Sequence, residues 1–312
     1  MQMKPAGRAV VIARRWAQLD GGAGMMGGMS VAGREWIEQL PAELDGQRNL
    51  LHALLRECES QQNIRWLVIA CSLGRGAADR LSDLDIGMGL ADEQFDTAIV
   101  NVRRAVDGLG ELVDSYHHQL PGLTMSHERI FAQYADRCQV DLVVIPASGT
   151  QSFGPVRDEV VLYDPDKRMS RVFEQAAVTP GQVREWAFGG WCALVDLGKY
   201  LRRGSRWEAL QRLTEAQGQL WRLWAAACEV PNPQFGLTSL LDFAPPQLPA
   251  AMETTVSDLD PDRLLAAARQ AARQLSAVSD HLRPDQRAAL PLAMGRFVTG
   301  DLDALASSPD PY

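Results

Sequence analysis

Asp83 and Asp85, in the string Ser82-Asp83-Leu84-Asp85, are the side chains whose type and spacing point most directly to chemistry. The string runs into LDIGMGL, which reads as a strand, and residues two apart on a strand face the same way. The two carboxylates then stand about 6 to 7 Å apart at the backbone, a spacing suited to gripping hard, oxygen-loving cations. Two bare carboxylates on one strand face are costly unless something positive sits between them, and a divalent ion removes that cost. Nucleotide transfer needs such ions, because the triphosphate's charge must be neutralised and the attacking and leaving oxygens both stabilised. The pair taken alone also fits a surface turn in which Ser82 and Asp83 bend the chain and Asp85 is solvated. The flanking residues decide between the two.

Those flanks read as a mixed α/β domain. Leu50, Leu51, Leu54, Leu55 and Cys58 recur on one helix face and predict a helix from Asp45 to about Glu59. The run RWLVIA at 65–70 is short, branched and closed by Ser-Leu-Gly-Arg-Gly, so it reads as a buried strand ending in a turn. Residues 92–107 suit a helix through Phe95, Ile99, Val102 and Val106. Further strands are expected at 111–117, 128–134, 139–145 and 159–163, with Ala-Asp-Arg-Cys a hairpin turn between the second and third.

Beyond Asp166 the strand patterns stop. Thr179-Pro180-Gly181-Gln182 carries a helix-opening capping box, and Ser205-Arg206-Trp207-Glu208 carries a second. The apolar face of this second helix is read as Trp207, Leu210, Leu213, Leu220 and Trp224. The prolines of 230–249 imply an irregular connection with a short helix at 239–243. Asp260-Pro261 opens a third long helix, with Leu264, Ala268, Ala271, Leu275, Val278 and Leu282 in bundle rhythm. Most of the tryptophans here are expected in the core. The predicted fold class is α+β, a mixed sheet with helices followed by an all-α bundle. The expected divisions are an N-terminal extension at 1–44, partly flexible with the linker-like GGAGMMGGMS, a catalytic domain at 45–170 and a helical domain at 171–312.

Composition narrows the partners. A chain of 312 residues with 46% hydrophobic and 22% charged residues has the apolar content for a sizeable core. Its formal net charge of −8, with basic residues scattered, disfavours a nucleic-acid partner and suits a small, cationic one. The five cysteines show no CxxC spacing and fit reduced thiols in a cytoplasm rather than a disulfide framework or zinc site. No apolar run approaches the roughly 20 residues of a membrane-spanning helix. A cytoplasmic protein is the expectation.

The segment Cys71–Leu90 resembles the DNA polymerase beta-like nucleotidyltransferases. Their pattern is Gly-Ser or Gly-Gly, roughly ten residues, Asp-apolar-Asp-apolar, and a third acid on a later strand. Ser72 precedes Asp83 by 11 positions, Asp83-Leu84-Asp85-Ile86 supplies the pair, and Asp141 in VDLVVI supplies the third acid. The resemblance implies that Asp83 and Asp85 ligate Mg2+, with two ions expected, and that Ser72 contacts the terminal phosphates of ATP or another nucleoside triphosphate. It makes Asp141 either a further metal ligand or the base for the acceptor hydroxyl. Gly74 and Gly76 remain to shape a phosphate-contacting turn, aided by helix-start amides. Arg75 and Arg80 either pair with phosphate oxygens or are solvated. One departure stands out: Cys71 takes the place of the family's first glycine, so a side chain must be accommodated there.

A catalytic domain followed by a helical one is similar to the antibiotic nucleotidyltransferases, above all the aminoglycoside adenylyltransferases. The strings VVLYDPD and KYLRRGSRWEAL add to the likeness. This implies transfer of AMP to a small-molecule hydroxyl, an aminoglycoside-like acceptor favoured, with the acceptor between the domains near Asp196, Glu208 or Glu215. Lys199, Arg202, Arg203 and Arg206 suit a helix end or, secondarily, phosphate. Two other readings stay open. One is a nucleotidyltransferase modifying a protein, as in toxin-antitoxin pairs; the other is a catalytically lapsed nucleotide-binding regulatory module.

Overall fold

The computed structural model describes residues 28–119, 127–151, 159–169, 177–242 and 248–307. The chain divides into two compact units, Met1–Glu174 and Gln175–Tyr312. The first is built on a six-stranded mixed sheet and the second is helical, an α+β arrangement.

In chain order the first unit has helices α1 (Gly28–Glu38) and α2 (Asp45–Ser60), strand β1 (Ile64–Ile69), the short helix α3 (Cys71–Gly74), strand β2 (Leu84–Leu90) and helix α4 (Phe95–Asp107). Strands β3 (Leu112–His118), β4 (Glu128–Tyr134), β5 (Gln139–Pro146) and β6 (Val160–Tyr163) follow. The sheet order is β3-β4-β5-β2-β1-β6. β2 and β5 run parallel; the other described pairs are antiparallel.

Alternation along the strands gives the sheet two unlike faces. Leu84, Ile86, Met88 and Leu90 of β2 join Val140, Leu142 and Val144 of β5 in the main core, where Leu51, Leu54 and Leu55 of α2 and Ile99 and Val102 of α4 cover them. The other face carries a smaller cluster of Trp66, Val68, Ile145, Ala147 and Met169. Gly87 and Gly89 lie on that face because Trp66 lies over them: a Cβ on Gly89 would stand 2.0 Å from Trp66 Nε1. The side chains of Asp85 and Asp141 share this second face.

Helix α1 was not apparent from spacing, and it overturns the linker reading of GGAGMMGGMS for Gly28, Met29 and Ser30; the rest of that string lies outside the described residues. Its backbone lies directly on β6, since a Cβ on Gly33 would fall 2.1 Å from the Leu162 carbonyl oxygen. A glycine allows that approach and any other residue blocks it.

The second unit has α5 (Pro180–Arg202), α6 (Arg206–Ala227), α7 (Leu237–Asp242), α8 (Pro261–Ala277), α9 (Pro284–Ala288) and α10 (Leu292–Ala306). The Thr179 box forms as expected, its side chain accepting from the Gln182 amide at 3.2 Å. The Ser205 box does not: the Ser205 hydroxyl donates to the Glu208 carboxylate and leaves the helix amides uncapped by it. Trp186 and Trp191 are in the core as expected, whereas Trp207 is 74% exposed, at the start of α6 and off its buried stripe of Leu213 and Leu220. No described helix is long and apolar enough to cross a membrane.

Candidate active site

The site grows from the end of β1. The Ala70 N–H donates to the Asp85 carbonyl at 2.9 Å, so the β1–β2 ladder continues to the point where α3 begins. α3 is only four residues long, and it closes into a turn through the Gly76 N–H on Leu73 O and the Ala77 N–H on Ser72 O, both 2.9 Å. Ser72, Gly74 and Arg75 are half-buried in this turn, and Arg80 is exposed farther along the loop. One turn of helix has little dipole to offer a phosphate, so the helix-start contribution expected here reduces to local amides and the Ser72 hydroxyl.

Cys71 has φ 55°, in the left-handed region. A side chain there costs roughly 1–2 kcal/mol relative to glycine. The site thus keeps a backbone shape that favours glycine while filling it with a cysteine. The thiol hydrogen-bonds to the Asp85 carboxylate and is pushed up to about 12, first by burial and then by the Asp85 charge. It is a proton donor here, not a thiolate.

The loop into β2 is pinned locally. The Asp79 carboxylate accepts from the Leu81 N–H at 2.8 Å, and the Asp79 N–H donates to the Ser82 hydroxyl at 3.0 Å. Gln47 of α2, 2% exposed, donates its amide to the Ser82 carbonyl at 2.9 Å. That bond fixes the residue before Asp83, and nothing in the local sequence pattern singles out Gln47 for it.

Parallel pairing of β2 with β5 sets Asp85 directly against Asp141. Neighbouring strands are about 4.8 Å apart, so the two acids are immediate neighbours although 56 residues separate them in sequence. Asp83, in the loop one residue before β2, lies close enough for its charge to act on Asp85. The Asp85 carboxyl is held above the usual carboxylate range by burial, then by the charges of Asp83 and Asp141. The structure therefore brings Asp83, Asp85 and Asp141 together, beside the turn that carries Ser72.

Asp141 has a partner that sequence reasoning did not supply. Arg129 of β4 forks onto it, Nε to Oδ1 at 2.8 Å and Nη2 to Oδ2. The guanidinium lies over the Phe131 ring, 4.4 Å from its centroid. Phe131 stacks on His118 with centroids 6.3 Å apart, and His118 stacks on Tyr116 at 5.2 Å. In strand register the row across the sheet reads Tyr116, Phe131, Asp141, Asp85. Alternation in ERIFAQY puts Arg129 and Phe131 on one face, but only the register says which acid they meet.

Among the described residues no group of three His, Cys, Asp or Glu side chains is arranged to hold a metal ion. Both Asp141 oxygens are turned to Arg129. Asp83 and Asp85 remain a donor pair of the right chemistry for a hard divalent cation. Burial raises the Asp85 carboxyl most, and the neighbouring negative charge that adds to it is what such a cation would relieve.

In the helical unit several of the acids and bases noted in the sequence are held in local ion pairs, of which only Lys199 with Asp196 joins two of them. Lys199 binds Asp196 at 2.6 Å, Arg202 binds Asp301 at 2.8 Å, and Arg212 binds Glu215 at 2.5 Å.

No protein-family model matches the chain, and no curated protein matches it. Among solved structures, an aminoglycoside 6-adenyltransferase from Bacillus subtilis is similar at 14% identity, over 81% of this chain and 97% of that one, with a TM-score of 0.31. This is a distant resemblance and does not by itself assign a family or an activity.

Proposed function

We propose that the chain is a Mg2+-dependent nucleotidyltransferase that moves a nucleotide monophosphate, AMP from ATP in the favoured case, to a hydroxyl of a small-molecule acceptor. The observation that carries this reading is the register of Asp85 against Asp141 with the Asp83 charge acting on Asp85, beside the Ser72 turn. Burial and the charges of Asp83 and Asp141 raise the Asp85 carboxyl, a cost that a bound cation would offset. Asp83 and Asp85 would hold the Mg2+, which when bound neutralises the phosphates and polarises the reacting phosphorus. The Ser72 hydroxyl and the Arg75 guanidinium orient the terminal phosphates, Gly74 shapes the turn with its N–H donated to the Ala70 carbonyl at 3.3 Å, and Arg80 serves as an outer contact. The acceptor oxygen forms its bond to the α-phosphorus, the bond to the β-phosphate oxygen breaks, and pyrophosphate leaves. Asp141 keeps lone pairs beyond those used by the Arg129 fork, and these receive the hydroxyl proton. A net charge of −8 favours an amine-bearing acceptor of the aminoglycoside type by charge complementarity.

The test is pyrophosphate release from ATP across a panel of aminoglycosides, lincosamides and other hydroxyl acceptors. Release with one acceptor class, lost in Asp83→Asn and Asp85→Asn, supports the reading. Full activity in both variants removes it.

A second reading has its own observation. Cys71 hydrogen-bonds Asp85 and Arg129 forks Asp141, so both acids already have partners. That suits a nucleotide-binding module that has lost turnover. Binding of Mg·ATP with no pyrophosphate release from any acceptor would select it.

A further inference from the structure

The column of planar groups on the second sheet face ends at the acids. Tyr116, His118 and Phe131 stack in series, Arg129 lies on Phe131, and its fork closes on Asp141. A guanidinium gripped on one face by an aromatic ring and along one edge by a carboxylate has little freedom to swing away. The Asp141 side chain is 11% exposed, so both its oxygens point to one partner in a poorly solvated place. A divalent ion binding the same oxygens would meet a fixed positive charge.

We propose that this is a one-metal site in which the Arg129 guanidinium takes the place of a second cation, with the divalent ion held by Asp83 and Asp85 and Asp141 kept out of its coordination shell. The proposal rests on the nucleotidyl-transfer reading of Asp83 and Asp85, and it differs from the two-ion arrangement that the sequence resemblance implies. Arg129 is then a positioning residue, and Phe131 and His118 are the brace that keeps its plane in that of the carboxylate.

Mn2+ titration of the full chain, followed by electron paramagnetic resonance, reads the site without needing an acceptor. The wild type binds one Mn2+, and Asp83→Asn or Asp85→Asn weakens binding about tenfold or more, the loss of one charged ligand. Arg129→Gln frees Asp141 and either tightens Mn2+ about tenfold or admits a second ion. The double variant Arg129→Gln/Asp141→Asn, in which the pair's charges leave together, returns to within about threefold of wild type. Phe131→Leu keeps both charges but loosens the fork. It moves binding in the same direction as Arg129→Gln by a smaller factor, and it serves if Arg129→Gln fails to give a cooperative thermal transition. Two Mn2+ bound to the wild type, or a double variant tenfold or more weaker than wild type, makes Asp141 a ligand and overturns the inference alone. Mn2+ binding that is indifferent to Asp83→Asn and Asp85→Asn overturns the inference together with the reading beneath it.

Discussion

Asp85 and Asp141 are register partners across the parallel β2–β5 pair, and on the far side of Asp141 the same row continues to Phe131. The acid pair lies on the two central strands of the sheet, and the Arg129 guanidinium, set on the Phe131 ring, backs it.

Asp83→Asn and Asp85→Asn should lower turnover by roughly a thousandfold or more, because several kcal/mol of charge stabilisation is lost and each 1.4 kcal/mol is a factor of ten. Neither should unfold the protein. The Asp85 carboxyl is raised in the folded state, so the folded form binds its proton more readily than the unfolded form. The stability this contributes is present in acid and is lost as pH rises through the folded value. Asp85→Asn removes that dependence, and urea unfolding from acid to neutral pH should give a flatter stability profile with no loss at neutral pH.

Gln47→Leu tests the pin on the loop before Asp83. It leaves the Ser82 carbonyl without its buried donor, which costs about 1–3 kcal/mol. Chemical denaturation measures the loss, and turnover at saturating nucleotide should fall with it as Asp83 gains freedom.

Cys71 separates backbone from side-chain effects. At φ 55° glycine fits best, so Cys71→Gly should hold stability within about 1 kcal/mol of wild type or raise it. Cys71→Val puts a branched side chain into the same conformation and should cost about 1–2 kcal/mol. Equal thermal midpoints for the two variants would argue against backbone strain at this position.

Gly89→Ala should be costly out of proportion to one methyl group. The new Cβ would meet Trp66 Nε1 at 2.0 Å, in the indole rather than at a flexible side-chain end. Overpacking of this kind costs about 1–3 kcal/mol, read as a lowered denaturation midpoint.

The strands and helices that carry the candidate site follow from short-range patterns. LDIGMGL and ERIFAQY occupy β2 and β4 residue for residue, and Thr179 caps α5, because alternation and capping are local physics. The likeness of Asp83, Asp85 and Asp141 to a known acid pattern is likewise readable in one dimension. Helix α1 was not readable, because GMSVAGREWIE earns its place by lying glycine-first on β6 rather than by any strong periodicity. Trp207 read as core and lies exposed, since a single apolar residue in a helix's first turn does not say where the bundle ends.

Sequence alone determined the identity and order of the acids, the turn after β1 and the strands that carry Asp85 and Asp141. Tertiary structure decided their company. The β2–β5 register sets Asp85 against Asp141, the β4–β5 pairing brings Arg129 and Phe131 to it, and Gln47 reaches from a helix to hold Ser82. Strand register is a long-range choice made by the whole sheet, and one residue of slip in a strand would turn its side chains, Asp85, Asp141, Arg129 or Phe131 among them, to the opposite face.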